Sequence, residues 1–275
     1  MNELNRLLDP APAEDGEPSP DPAATQLELP PTILGPAAFW TPDRLVESAW
    51  LGHIPFAFWL TVALRPRVFV ELGTHTGASY CAFCQAIKHA SLGTLAYAVD
   101  TWEGDEHAGY YGDEVYGELA GYNRAHYGAF SQLLRSRFDD SLQYFNDSEI
   151  DLLHIDGLHT YDAVRHDFDA WLPKLSDRGV VLLHDINVRE RNFGVWRLWH
   201  ELAQQYPSFA FQHQHGLGIV RVGSEPAPEL DRLLAAGSDP RLAAVWRNGF
   251  ARLGQAIEER WAAGVQASHA AALAA

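Results

Sequence analysis

From residue 67 onward, short and nearly continuous apolar runs alternate with stretches of helical periodicity. Val68-Phe-Val-Glu71 reads as a first strand that ends in a glycine-containing turn, with a helix following to about Ala90. Thr94–Asp100, Ile150–Ile155 and Gly179–His184 read as further strands, and helices are predicted from about Tyr161 to Leu172 and from about Gly194 to Gln205. Phe209–His213 and Gly218–Val222 close the pattern as two strands near enough to form a hairpin. Strands without a polar face, alternating with helices, belong in a sheet covered on both sides. The expected fold is therefore α/β: a doubly wound, mostly parallel sheet with a C-terminal antiparallel hairpin.

Upstream, Thr41 suits a helix N-cap and Pro42 the first helical position, predicting a helix through Leu45, Ala49 and Trp50 to about Leu51. Pro55 would interrupt it, with a second short helix reaching Leu64. Three segments follow from composition. Residues 1–40 form an acidic arm, because 9–36 hold eight of the sixteen prolines and six acids but no base, too little apolar material to order a chain. Residues 41–224 form the main domain, with an insertion over 102–138 that is expected to be helical after Asp113 and to act as a lid. Residues 225–275 are an Ala-rich helical extension (Leu230, Leu233, Leu234; Leu253, Ile257, Trp261) that suits an accessory helical pair or an assembly surface. A homo-oligomer stays open.

Charge narrows the partners. Twenty basic residues against 36 acidic ones leave a net charge of -16 in 275 residues, a surface that repels nucleic acid and anionic membranes. No 18-residue apolar run predicts a membrane span, and no signal peptide is read at the N-terminus. Cys81 and Cys84 cannot build a disulfide framework and fit a cytoplasmic setting, as small core residues one helical turn apart.

Two constellations carry chemistry. The first is Glu71-Leu-Gly73-Thr74-His75-Thr-Gly77-Ala-Ser79, at the junction of the first strand and its helix. Gly73 allows a sharp turn, and Gly77 allows a ligand to approach the helix N-terminus. The turn bears a carboxylate, and a second one, Asp100, ends the next strand, where doubly wound folds meet a ribose. Acids beside the glycine turn suit a cofactor with an ammonium and a ribose but no phosphate; the bland alternative is an ordinary strand-to-helix turn. The second constellation is Asp156-Gly-Leu-His159 after one strand and His184-Asp185 at the end of the next. Adjacent parallel strands lie about 4.8 Å apart, so both carboxylates should project toward one point and repel unless a cation or proton is shared. A divalent ion held by Asp156, His184 and Asp185 is one remedy, with Asn187 as another candidate ligand; local caps of the two turns are the alternative. His159 is the candidate general base, with Asp156 beside it. His53, His154 and His166 lack a spacing partner, and His213-Gln-His215 suits either a solvated turn or an acceptor-lining one.

The E-x-G-x-x-x-G turn with its strand-end Asp resembles class I S-adenosylmethionine-dependent methyltransferases over about residues 45–222, which implies a Rossmann-like, seven-stranded sheet. The resemblance implies that Gly73, Thr74, His75, Gly77 and Ser79 cradle the methionine part of S-adenosyl-L-methionine. It further implies that Glu71 meets its ammonium and Asp100 its ribose; Trp102, next to Asp100, is the candidate cover for the adenine. His75 stands where the family has a middle glycine. D-G-x-H followed by x-D resembles the metal-dependent sugar O-methyltransferases of the macrocin type. There, Asp156, Asp185 and His159 match ligands and base, magnesium or another divalent cation assists, and His184 replaces a Glu. Val-Asp-Thr-Trp-Glu-Gly-Asp (99–105) and Leu-Leu-His-Ile-Asp-Gly-Leu-His-Thr-Tyr (152–161) resemble bacterial methyltransferase domains joined to glycosyltransferases. The implied activity is O-methylation of a sugar, glycan or similar small molecule. The tyrosines and acids of 102–127 suit a neutral polyhydroxy acceptor or, equally, a small core of the insertion's own. Two other readings stand beside it: a nicotinamide oxidoreductase, which lacks its G-x-G-x-x-G, and a non-catalytic scaffolding module of a glycan-synthesis assembly.

Overall fold

The computed structural model describes residues 34–225 and 227–274. The expected arm falls outside the described residues as far as residue 33; from there on the chain is packed, and the 3-10 turn Pro36–Phe39 buries Ala37 and Ala38. In chain order the elements are α1 (Ile54–Leu64), β1 (Val68–Leu72), α2 (Ala78–His89), β2 (Leu95–Asp100), β3 (Gly104–Asp105), β4 (Gly109–Tyr110), α3 (Asp113–His126), β5 (Ser131–Arg135), α4 (Phe138–Ser141), β6 (Ile150–Ile155), α5 (Tyr161–Trp171), β7 (Leu175–His184), α6 (Val195–Gln205), β8 (Ser208–Phe211), β9 (Leu217–Arg221), α7 (Pro228–Ala236) and α8 (Pro240–Ala274).

Seven strands form one sheet in the order β5-β2-β1-β6-β7-β9-β8, and β3 and β4 form a separate two-stranded ribbon. β5, β2, β1, β6 and β7 run parallel, while β9 is antiparallel to β7 and to β8. This is the doubly wound sheet with the C-terminal hairpin that the apolar pattern implies. The chain leaves β1 toward β2 on one side and returns to β6 on the other, so a crevice opens at the carboxyl ends of β1 and β6. On one face, Val164, Phe168 and Trp171 of α5 and Val195, Leu198 and Leu202 of α6 pack against Val70, Leu153, Val181 and Leu183 of the strands. On the other, Phe69 lies against Tyr80 and Phe83 of α2, and Phe56 of α1 meets Phe211 of β8.

Three expectations require correction. The first helix, 41–51, is absent. The segment runs irregularly because its polar backbone finds distant partners: Asp43 N–H donates to Gln85 Oε1 at 2.8 Å, and Gln85 Nε2 donates to Thr41 O at 2.8 Å. Pro55 does not interrupt a helix but starts one, in the first turn of α1, where a missing N–H costs nothing. Within the insertion, Ser131–Arg135 is a sheet strand, pairing with β2 from Ala96↔Ser131 to Asp100↔Arg135. Its mixed sequence, Ser-Gln-Leu-Leu-Arg, has no apolar run because it lies at the sheet edge with one face half-exposed.

α8 belongs to the core along its first half. Trp246 stands against Trp59 at 5.1 Å between ring centroids, and Phe250 against Phe56 at 5.4 Å. Gly52 O lies where a Cβ on Gly254 would stand, so only glycine permits this approach of α8 to the Leu51–His53 turn. α1 is buried at nine of its eleven positions because it is enclosed by its helical neighbours and the sheet. Phe250→Ala is expected to lower the unfolding free energy by about 3–5 kcal/mol in urea titration. A loss below about 1 kcal/mol would show that α8 only rests on the surface.

Candidate functional site

Sheet register assembles the site. Glu71 of β1 pairs with His154 of β6, and neighbours in a parallel ladder share a face. Their side chains accordingly meet, His154 Nδ1 to Glu71 Oε2 at 2.8 Å, both fully buried. The Trp50 indole donates to His154 Nε2 at 3.2 Å, so the ring proton sits on Nδ1 and is donated to Glu71. Burial pushes the Glu71 carboxyl above its ordinary value, and the hydrogen bond from His154 partly offsets it. His154 thus acquires a tertiary partner that no sequence spacing announced.

The turn after β1 is held by Asp100, at the end of β2. Asp100 Oδ2 accepts from the N–H groups of Thr74 at 2.8 Å and His75 at 2.9 Å, and Oδ1 accepts from Trp102 N–H at 2.7 Å. Three of its roughly four acceptor positions are therefore spent on backbone. These bonds stabilise His75 at φ 49°, a left-handed conformation unusual for a non-glycine residue. Gly73 (φ 84°) passes directly over the Asp156 carbonyl, joining the ends of β1 and β6. Gly77 (φ 81°) faces Leu119 of α3, 2.5 Å from where a Cβ would stand, so a protein side chain covers the backbone that was expected to meet a ligand. Ser79 is buried in the first turn of α2. Two buried polar atoms here have no partner among the described residues, Glu71 Oε1 and Thr74 Oγ1. They supply the unspent acceptor and donor that an amino-acid moiety would need.

Trp102, expected to line the adenine site, is instead fully buried. Its indole donates to His75 O at 2.9 Å and its ring lies 4.9 Å from Tyr116. The aromatic residues that do line the crevice are Tyr111 and Phe138. They border a cleft of about 360 Å³ that begins at Asp100 and runs past Asp105, Arg137, Asp139, Leu158 and Asp167. Of these, only Asp100, Tyr111 and the acids of 102–127 drew notice in the sequence. Phe138 and Asp167 were missed because one follows a strand that does not look like one and the other sits inside an ordinary helix.

The second constellation converges as expected. Ile155 pairs with Leu183, so one step further along Asp156 stands beside His184. His159 Nε2 lies 2.9 Å from Asp185 Oδ2 and 3.3 Å from Asp156 Oδ1, while His184 Nδ1 lies 3.4 Å from Asp156 and 3.5 Å from Asp185. Burial opposes charge on all four groups. It is outweighed for His159, which its two carboxylate partners push up to about 9, and for His184, which Asp156 and Asp185 push up to about 10. Asp156 and Asp185 are held below the ordinary carboxylate range by the same imidazoles. Two imidazolium charges therefore offset two carboxylates, a remedy for the repulsion that needs no ion.

The donor set also fits an ion. Asp156, His184 and Asp185 each offer an atom within 4.8 Å of the others. His184 Nε2 lies 3.2 Å from Gln214 O and donates to it, the outer contact that leaves Nδ1 free as a ligand. Asn187 turns away, donating to Gln212 O at 3.1 Å. The hairpin turn contributes more than the sequence indicated. Gln214, His215 and Gly216 are all left-handed (φ 49°, 64° and 89°), and His215 Nδ1 reaches Asp185 Oδ1 at 3.0 Å. Gln214 O also receives His53 Nε2 at 3.3 Å, and burial, with His184 and His213 nearby, holds His53 well below its ordinary value.

The β3–β4 ribbon lies over His159. The His107 ring lies 5.5 Å from His159, and Phe193 stacks on both, at 4.4 Å and 4.5 Å. Arg191 ties the ribbon down through Glu106 O at 2.9 Å and His107 O at 3.0 Å. Beneath this cover His159 Nδ1 is buried without a partner among the described residues. The insertion is therefore partly a cover and partly a packed subdomain, the latter built on pairs such as Trp102–Tyr116 and Tyr122–Tyr127.

Comparison with known proteins bears on this geometry. An uncharacterized protein of Sinorhizobium fredii, y4gI, is 53% identical over 193 residues, 70% of this chain. The chain spans about a fifth (21%) of that relative's length. Among solved structures, an S-adenosylhomocysteine-bound methyltransferase of Podospora anserina is similar at 13% identity and a TM-score of 0.49, over 64% of this chain and 79% of that one. The O-methyltransferase TomG of Streptomyces achromogenes, solved with S-adenosylmethionine, is similar at 17% identity and a TM-score of 0.47, over 66% and 83%. Residues 70–186, from β1 to the residue after Asp185, match the family model described as a methyltransferase domain. The matched residues are those that carry the parallel strands β1, β2, β5, β6 and β7 and both strand-end constellations.

Proposed function

We propose that this protein is an S-adenosylmethionine-dependent O-methyltransferase acting on a hydroxyl of a sugar or similar small alcohol. The observation that carries the reading is the juxtaposition, at one sheet edge, of an acid-lined cleft and a histidine held by two carboxylates with its other nitrogen unspent. Acids rather than phosphate-binding amides and lysines suit a cationic donor with a ribose. Glu71 Oε1 and Thr74 Oγ1 are the atoms left for its amino-acid end, and the remaining acceptor position of Asp100 is left for a ribose hydroxyl. The bound sulfonium supplies an electrophilic methyl group with a thioether as its leaving group.

His159 has the catalytic task. Its Nε2–H is directed at Asp156 and Asp185, which leaves Nδ1 to take the acceptor proton as the new O–C bond forms and the S–C electron pair returns to sulfur. Phe193 stacks on the ring and fixes its plane, and His107 stacks on Phe193 in turn. Asp156, Asp185 and His184 Nδ1 would hold a divalent ion that lowers the pKa of the acceptor hydroxyl. Tyr110, which is 81% exposed on the ribbon, offers an aromatic face to a sugar ring. No helix among the described residues is long and apolar enough to cross a membrane. The buried thiols Cys81 and Cys84 fit a reducing, cytoplasmic setting.

Calorimetry provides the first test: S-adenosylhomocysteine should bind and NAD should not, and binding of neither would favour a non-catalytic module. His159→Gln should lower kcat by roughly 10²–10⁴-fold while leaving S-adenosylhomocysteine affinity unchanged. Because the carboxylates raise His159 to about 9, its basic form grows as pH rises toward that value and saturates above it. Initial rates at saturating substrate should accordingly climb between pH 7 and 9 and then level off, and a flat profile would remove His159 from the role. Should the ion take part, a chelator abolishes turnover and magnesium restores it, and Asp185→Asn removes this dependence. Turnover indifferent to the chelator would retire the ion.

A further inference from the structure

The donor atoms of the Asp156–His184–Asp185 cluster are not all oxygen, and the nitrogen among them is held in place from outside. His184 ends β7, and its Nε2 donates to Gln214 O at 3.2 Å, a carbonyl that also meets His53 Nε2 at 3.3 Å. Gln214 is itself tied to α8 through Glu258. Between centroids, the His184 ring lies 5.6 Å from the His53 ring and 6.1 Å from the Trp50 ring, and these neighbours restrain its plane. Nδ1 is left facing the carboxylates, 3.4 Å from Asp156 Oδ1 and 3.5 Å from Asp185 Oδ1. Donor atoms that surround one first-row dication at about 2.0–2.2 Å stand roughly 3.0–3.5 Å apart, so these two separations already suit a shared ion.

Two properties of this set discriminate among dications. Magnesium is hard: it prefers oxygen donors, keeps several of its waters and dehydrates reluctantly. Imidazole nitrogen suits the borderline ions of the iron-to-zinc part of the first row, and affinity for mixed nitrogen and oxygen sites rises along that row. The site is also poorly hydrated, since the side chains of His184, Asp185 and Asp156 are only 4%, 8% and 20% exposed. A cation there must exchange much of its water for protein donors, and one of those donors is nitrogen. His215 Nδ1, 3.0 Å from Asp185 Oδ1, brings a second imidazole to the exposed rim of the cluster.

We infer that the Asp156–His184–Asp185 cluster selects a borderline transition-metal dication, cobalt, nickel or zinc in kind, over magnesium, and that His184 is the selecting ligand. The inference rests on the ion-assisted form of the methyltransferase reading and adds to it which class of ion the side chains favour. Millimolar magnesium would still fill the site by mass action, so the selection shows in affinity rather than in whether turnover occurs. The experiment is isothermal calorimetry of the full chain, stripped of metal by a chelator and titrated with cobalt(II) and, separately, with magnesium. Visible absorption of the cobalt complex reports its ligands. In the wild type, cobalt should bind one site at least about 100-fold more tightly than magnesium. Asp185→Asn should lose that site for both ions, which distinguishes it from histidines on the surface. His184→Glu should narrow the ratio by about tenfold or more, and the cobalt absorption should weaken and shift as oxygen replaces nitrogen. A wild-type ratio near one overturns the inference, as does the absence of a cobalt site, or a ratio and spectrum unchanged in His184→Glu. Were the glutamate variant to fail to fold, the wild-type ratio and its loss in Asp185→Asn decide. S-adenosylhomocysteine is titrated into the same stripped protein. Its binding beside a failed cobalt ratio overturns the ion selection alone, whereas its failure to bind overturns the methyltransferase reading and leaves the ratio to decide the ion.

Discussion

Four ionisable side chains, two buried and two half-buried, meet at one point and must balance their charges, and that requirement organises this protein's active edge. Asp156 and Asp185 are brought together by the parallel pairing of β6 and β7, and neither could stay ionised beside the other in a poorly solvated site without compensation. His159 and His184 provide it, each contacting both carboxylates. The histidine before Asp185 therefore changes the electrostatics of the site rather than only its ligand count. An acid at that position would leave three carboxylates facing the imidazoles of His159 and His215 alone. With His184 in place, the cluster is neutral before any ion arrives, and an ion must compete with protons for the same oxygens.

The same edge shows how little of a binding turn need be side chain. Asp100 is where a ribose-binding acid would stand, yet three backbone N–H groups already occupy it. Its first duty is to hold Thr74 and His75 in place, which allows His75 to take a left-handed conformation in a position where glycine would be the easy choice. Trp102 reinforces the turn from the other side. The acid, the indole and the turn form one unit, and the cleft for a ligand starts where that unit ends.

Distant segments reach this edge through backbone as well as side-chain chemistry. Gln214 O receives hydrogen bonds from both His53 and His184, so the β8–β9 turn sets the orientation of a histidine that belongs to β7. α8 supports that turn, with Glu258 Oε1 accepting from Gln214 Nε2 and Gly254 allowing α8 onto the Leu51–His53 turn. The Ala-rich extension is thus coupled to the site even though none of its described residues lines the cleft.

By itself the sequence determined the sheet, its helices on both faces and the two strand-end constellations. Each follows from local rules: the apolar run of a strand buried on both faces, the glycine of a tight turn, and the constant length of a strand-helix unit that returns Asp185 beside Asp156. Tertiary structure decided what local rules cannot express. The irregular run of 41–50 follows from hydrogen bonds to Gln85, β5 exists because β2 offers it an edge, and Pro55 opens a helix because its neighbours enclose it. His154, His53 and His215 gain their meaning from partners dozens of residues away. Hydrogen bonding and desolvation act through space, and a linear pattern records them only where the fold happens to keep the partners close along the chain.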